Sequence, residues 1–266
     1  MIIAVVNQKG GVGKTTTAVN TAAALAKQGK KTLLIDFDPQ GHSGDYIGVR
    51  SQANKNILDV LEGNVSPKSA WQPSYIKNLW VLPSNLNLGK YNQNSPIGKQ
   101  FILRDALEGV TGDFFDYILI DCQPSLSLLT LNALTACDFV LLPVQAEFLA
   151  LDGLSQLILT LKEIQTKLHP RLQVLGVVLT MFDRRNKLSF EVQHELKKNF
   201  GSDLFETAIP RSVKLAESPS FSQSIHDYAP SSSGSQAYID LAFEMDSKIA
   251  RNLETKNKNA VSETTA

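Results

Sequence analysis

Neither sign of charge is in excess: 26 Lys and Arg balance 26 Asp and Glu in 266 residues. A chain that coats nucleic acid is usually basic overall, so any contact with DNA must rest on a local patch. Cysteine is nearly absent, with only Cys122 and Cys137, which excludes a disulfide framework and makes the cytoplasm the expected compartment. No apolar run reaches the roughly 18 residues of a membrane span. The first stretch, MIIAVVNQ, lacks a basic region ahead of its apolar residues and reads as a strand rather than a signal peptide. Internal repeats are missing, and the four histidines (42, 169, 194, 226) are scattered without metal-ligand spacing. What remains, 43% hydrophobic and 20% charged, is an ordinary globular composition with length for one large core.

What the chain does have is alternation. IIAVV (2–6), TLLID (32–36), LWVLP (79–83), YILID (117–121), FVLLPV (139–144) and QVLGVVLTMF (173–182) are short and apolar throughout, as strands buried on both faces are. Helical patterns lie between them at 14–28, with Gly29 as the stop, and at 99–109, 126–136, 151–168, 187–199 and about 234–250. This order predicts an α/β fold, a doubly wound and mostly parallel sheet with helices on both faces and ligands at the carboxyl ends of its strands. The Asn- and Ser-rich segment 84–98 reads as a surface loop. A single domain is expected over 1–250, followed by a polar, disordered tail over 251–266.

A further absence falls at the most informative place. The phosphate-binding loop reads G-x-x-x-x-G-K-[ST], yet the first glycine expected before Gly13, Lys14 and Thr15 is replaced by Gln8, and Lys9 stands before Gly10 and Gly11. The surrounding strand, glycine loop and helix keep the context of a nucleotide site. Gly10, Gly11, Val12 and Gly13 bring backbone N–H groups close to phosphates, as does the helix start at Thr16. Lys14 is placed to reach the β- and γ-phosphates and the Thr15 hydroxyl to bind Mg²⁺. Lys9, on the entry side, need not face its own phosphates; it is suited to cross a dimer interface and stabilise charge on a partner's nucleotide. Its bland alternative is a solvated surface lysine.

The run KGGVGKTT resembles the deviant Walker A motif of the ParA/MinD family of P-loop ATPases, and the likeness is closest to small, Soj-type ParA proteins. That resemblance implies an ATP-sandwich homodimer, Mg-dependent hydrolysis of ATP, and Lys9 as the lysine acting in trans. LLIDFDPQG (33–41) looks like switch I, with Asp36 supporting Mg²⁺ and Asp38 orienting the attacking water. YILIDCQPSLS (117–127) looks like the Walker B strand and switch II, with Asp121 on the metal; Gln123 and Ser127 stand where the family usually has proline and glycine. Glu147 and Asp152 match interface carboxylates. LTMFD (179–183) and IPRSVKLAESPS (209–220) match segments that hold adenine, here Met181, Pro210, Arg211 and Val213. Phe182 stands where GTP-specific relatives commonly place a lysine.

The same resemblance implies non-specific DNA binding by the ATP-bound dimer through Arg185 and Lys214, with Arg184, Lys187 and Arg211 nearby in sequence. One departure weighs against it: YAPSSSG (228–234) lacks the arginine the family commonly has before this glycine, and Lys248, Arg251, Lys256 or Lys258 would have to compensate. A ParB-like or cargo-adaptor partner that stimulates hydrolysis is implied, with a plasmid, a chromosome or a protein assembly as cargo. The protein would be cytoplasmic and nucleoid-associated when ATP-bound. A membrane-surface role like that of MinD needs an amphipathic C-terminal helix, and ETKNKNAVSETTA shows no apolar face. The cysteines do not match the cluster ligands of an iron–sulfur reductase of this family.

Overall fold

Strands without polar alternation need cover on both faces, and the computed structural model, which describes residues 1–92, 98–110, 112–147 and 150–264, provides it. In chain order the strands are β1 Ile2–Val5, β2 Thr32–Phe37, β3 Gln72–Pro73, β4 Leu79–Leu82, β5 Tyr117–Cys122, β6 Phe139–Gln145 and β7 Gln173–Thr180. They form one sheet in the order β3-β4-β2-β5-β1-β6-β7, parallel throughout except for the edge pair β3–β4. The six strands expected from the sequence are present. β3 is an addition, two residues ending in proline, too short to show a period.

The helices are α1 Lys14–Lys27, α2 His42–Tyr46, α3 Ile57–Leu61, α4 Pro67–Ala70, α5 Ile102–Leu107, α6 Leu128–Ala136, α7 Ala150–Lys167, α8 Lys187–Phe200, α9 Val213–Glu217, α10 Ile225–Tyr228 and α11 Ser233–Thr264. Successive strand residues feed opposite layers: Ile3 and Val5 meet Ala18, Ala22, Leu25, Leu241 and Met245 of α1 and α11, while Ile2 and Ala4 meet the layer holding Leu103, Leu129, Leu157 and Val192. Each such Leu, Ile or Val contributes about 1.5–3 kcal/mol of burial. Alanine-rich α1 lies close under the sheet and stops where Gly29 adopts φ 90°.

Three expectations need correction. The helix expected over 99–109 is a 3₁₀ turn, Lys99–Phe101, leading into α5, which ends at Leu107 two residues before Gly109 at φ 74°. The segment 84–98 contains a 3₁₀ stretch, Leu86–Asn92, and its residues 93–97 lie outside those described. The last helix, expected over about 234–250, spans Ser233–Thr264; nothing between 251 and 264 is Gly or Pro, so no residue there terminates a helix.

Candidate functional site

β1, β2, β5 and β7 end at one edge of the sheet, and the glycine loop fills the space between β1 and α1. Gly11 and Gly13 hold φ of 75° and 87°, a region closed to most side chains. The loop is tied down from its neighbours: Thr180 Oγ1 donates to the Val12 carbonyl (2.8 Å), and Asn7 Nδ2 donates to the Pro143 carbonyl (2.8 Å). Gly13 precedes α1 and no side chain caps the helix, so its first N–H groups stay available to an anion. Lys14 is buried, with Nζ donating to the Lys9 carbonyl at 3.0 Å. Burial pushes its pKa down, and the negative charge of Asp121 opposes that.

Two carboxylates close this edge. Asp36 and Asp121 are register partners on β2 and β5 and both are fully buried. Asp36 accepts from the N–H groups of Gly44 (3.0 Å) and Asp38 (3.3 Å). Asp121 Oδ2 accepts from Ser43 Oγ at 2.6 Å, while its Oδ1 has no hydrogen-bond partner. Desolvation pushes the Asp121 carboxyl up to about 6 against the pull of Ser43, Thr15 and Lys14. Asp36 is pushed well up by burial and then by the charge of Asp121. An orphaned carboxylate oxygen, a second acid and the Thr15 hydroxyl form an all-oxygen donor set that fits Mg²⁺ held jointly with phosphates. No group of three His, Cys, Asp or Glu among the described residues could hold a metal without such help. Asp38 is half-buried and its Oδ1 receives the Gln40 N–H (3.0 Å), a local turn that leaves its Oδ2 without a hydrogen bond among the described residues.

Lys9 stays at the rim. Its N–H is held by Asn7 Oδ1 (2.9 Å), and its ammonium, half-exposed, pairs with Glu147 Oε2 at 3.2 Å. Gln145 Nε2 donates to the other oxygen of Glu147 at 2.6 Å. The side chain of Asp152 lies outside the described residues.

Beside the loop opens a cavity of about 440 Å³. Met181, Pro210, Arg211 and Val213 all line it, together with Gly13, Thr16, Thr180 and Tyr238. β7 ends at Thr180 because Met181 turns out at φ 52°, and a bridge between Phe182 and Pro210 brings the two segments together. Thr180 lies within the matched run LTMFD, whereas Tyr238 and Ser43 had no mark in the sequence, because their contacts join distant segments and leave no spacing signal. Cys122 and Cys137 are buried, free thiols, and burial raises both pKa values.

The same bridge places the cations of DRRNKL near those of PRSVKL. Arg185 grips Asp183 through Nε (3.0 Å) and Nη2 (2.9 Å), and Arg211 also acts on that carboxylate. Lys214 pairs with Glu217 at 3.0 Å, and Lys187 with Glu191 at 3.3 Å. Lys248 donates to the Ser202 carbonyl and lies 4.1 Å from the Phe205 ring centroid, and Arg251 Nε donates to the Ser247 carbonyl (3.2 Å). The side chains of Lys256 and Lys258 lie outside those described. No helix among the described residues is long and apolar enough to cross a membrane.

A family model described as an AAA domain matches residues 1–174. The chain is 43% identical over 251 residues to the chromosome partitioning protein ParA of Caulobacter vibrioides, covering 93% of this chain and 94% of that one. It is 44% identical over 247 residues to the sporulation initiation inhibitor protein Soj of Bacillus subtilis, covering 92% and 97%. Its fold superposes with a TM-score of 0.78 and 34% identity on cobyrinic acid a,c-diamide synthase from Mycobacterium smegmatis with bound ATP analog and magnesium, covering 91% and 92%. A glycine loop with two lysines, a carboxylate pair at the sheet edge and this degree of identity along nearly the whole chain lead to one assignment: the chain belongs to the ParA/Soj family of P-loop ATPases.

Proposed function

We propose that this chain is a partitioning ATPase that closes into a homodimer on ATP, binds DNA without sequence preference in that state, and is released when a ParB-like partner stimulates hydrolysis. ATP and Mg²⁺ are its ligands, as the bound groups of the related structure support. Gly10 to Thr16 and Lys14 hold the phosphates, and Met181, Pro210, Arg211 and Val213 hold the base. Thr15, Asp36 and Asp121 hold the metal, which neutralises phosphate charge when bound. Asp38 orients the attacking water with the carboxylate oxygen its local turn leaves over. The amide-forming chemistry in the synthase's name has less support, since identity to the partitioning relatives is higher, at 43–44% against 34%.

The observation that carries the reading is the division of labour between the lysines. Lys14 is sealed into its own loop, whereas Lys9 sits half-exposed on the rim in a single ion pair. Exposed pairs of this kind contribute about 0–1 kcal/mol, so Lys9 exchanges Glu147 for a partner's phosphate at little cost. Size-exclusion chromatography and anisotropy of a random-sequence duplex, each with Mg·ATP, Mg·ADP and no nucleotide, test this. Wild type should dimerise and bind DNA with Mg·ATP alone. Lys9→Ala should bind ATP normally yet stay monomeric or fail to turn over; normal turnover would remove the role in trans. Lys14→Ala should not bind nucleotide.

A further inference from the structure

We infer that α2 is a coupling strap by which the state of the metal-facing carboxylates sets the position of the segment carrying Lys214. The observation is the company this five-residue helix keeps. From one turn, Ser43 Oγ donates to Asp121 Oδ2 at 2.6 Å and the Gly44 N–H donates to Asp36 Oδ2 at 3.0 Å. From the last residue of the same helix, the Tyr46 hydroxyl shares a 2.7 Å hydrogen bond with Ser218 Oγ, directly after α9, which carries Lys214. Asn20 of α1 completes the junction, with Nδ2 donating to the Tyr46 hydroxyl (3.0 Å) and to the Thr16 carbonyl (2.9 Å) of the phosphate-loop helix. Its Oδ1 accepts the Ile225 N–H of α10 at 2.8 Å.

Ser43, Asn20 and Ser218 are fully buried and Tyr46 is nearly so. Water therefore cannot substitute for a broken bond, and each group left unpaired would cost about 1–3 kcal/mol. The donor order closes if Tyr46 donates to Ser218 and Ser218 to the Leu215 carbonyl (3.5 Å). At about 1.5 Å of rise per residue, Ser43 and Tyr46 are separated by less than one turn, so the helix has no slack between its two ends. Gly44 confines it further: a Cβ there would stand 2.6 Å from the Val49 carbonyl oxygen and 3.3 Å from Pro83 Cβ. A displacement of the carboxylates on loading moves Ser43 and Gly44, and Tyr46 moves with them. Tyr46 and Ser218 are thus positioning residues, since neither lines the cavity beside the glycine loop.

The consequence for DNA rests on the ATP-dependent cycle proposed above, whereas the coupling itself does not, and the test separates the two. Amide hydrogen exchange over residues 213–228 is compared with and without Mg·ATP in wild type, Tyr46→Phe, Ser218→Ala and the double variant. Nucleotide affinity is measured with a fluorescent ATP analogue. Loading should change exchange over 213–228 in wild type. In Tyr46→Phe and Ser218→Ala that change should fall to about half or less while affinity for the analogue stays within about threefold, and the double variant should lose no more than either single one. An unchanged exchange response in wild type, or a full response in both single variants, overturns the strap. Loss of DNA binding by wild type with the exchange response intact overturns the DNA reading and leaves the strap standing.

Discussion

Asp121 is the residue at which the proposed metal role and stability pull in opposite directions. Its carboxyl is fully buried, one oxygen is unpartnered, and burial raises its pKa from 3.8 to about 6. Below 3.8 the folded and unfolded chains both hold the proton. Between 3.8 and about 6 the unfolded chain releases it first, so stability falls as pH rises through this window. Above it the full cost stands, on the order of 3 kcal/mol. Asp121→Asn removes that cost. In nucleotide-free protein near pH 7.5 it should raise Tm by roughly 5–10 °C, and by about half as much near pH 5. Scanning fluorimetry at the two pH values checks this, and an equal gain at both would mean that the buried charge is not the cause. The same variant should lose Mg-dependent hydrolysis. Ser43 holds Asp121 from 78 residues away in the chain and Tyr46 holds Ser218 from 172, so neither contact was legible in sequence. Lys9, Lys14 and Thr15 could be singled out because they lie within seven residues of one another between β1 and the first turn of α1.

Among the elements, β7 carries the most stringent constraint. Opposite β6 its register shifts between Val140 and Leu141, the mark of a bulge at Leu175 beside Gly176. Gly176 adopts φ 155°, and a Cβ there would lie 2.3 Å from the Asp203 carbonyl oxygen and 2.8 Å from Phe205 Cε2. This close approach lets Phe205 N–H pair with the Val177 carbonyl (2.9 Å), so that part of the outer edge of β7 is covered. Gly176→Ala should therefore cost about 3 kcal/mol or more, because a backbone oxygen cannot rotate away. A fall in Tm of roughly 10 °C, or insoluble expression, is the expected result, and a near-native Tm would show that the 201–205 segment yields. A glycine inside QVLGVVLTMF is the sequence mark of such a site. The central strands were legible because burial on both faces makes them continuously apolar. By contrast, α2, α3, α4, α9 and α10 span four or five residues each, less than two turns, and no period can be read from them. The far bound of α11 was not legible because its last turns are polar and carry no apolar period, although no helix-stopping residue stands there.

At the scale of the whole molecule the balance of charge becomes a mechanism question, because the proposed DNA binding asks a chain with 26 charges of each sign to attract a polyanion. Each of the two cations assigned to DNA is engaged by its own carboxylate: Arg185 by Asp183 and Lys214 by Glu217. Arg185 holds the Asp183 carboxyl down to about 2, so that competitor stays ionised across the physiological range. A phosphate arriving at Lys214 must displace Glu217 and then remain beside its charge. The exposed pair stabilises the protein little, but the displaced carboxylate repels the phosphate, and a dimer counts this penalty twice. Glu217→Gln should therefore strengthen binding of the Mg·ATP form to a random duplex by about 3–10-fold at about 0.1 M salt. The slope of log affinity against log salt should not change, since the number of phosphates met by cations is the same. Lys214→Ala should weaken binding and flatten that slope by about 1 for each protomer that lost a contact. Anisotropy across a salt series reads both effects together. A Glu217→Gln variant no tighter than wild type, beside a Lys214→Ala variant with the wild-type slope, would mean that DNA lies on another face and that Lys214 only pins α9.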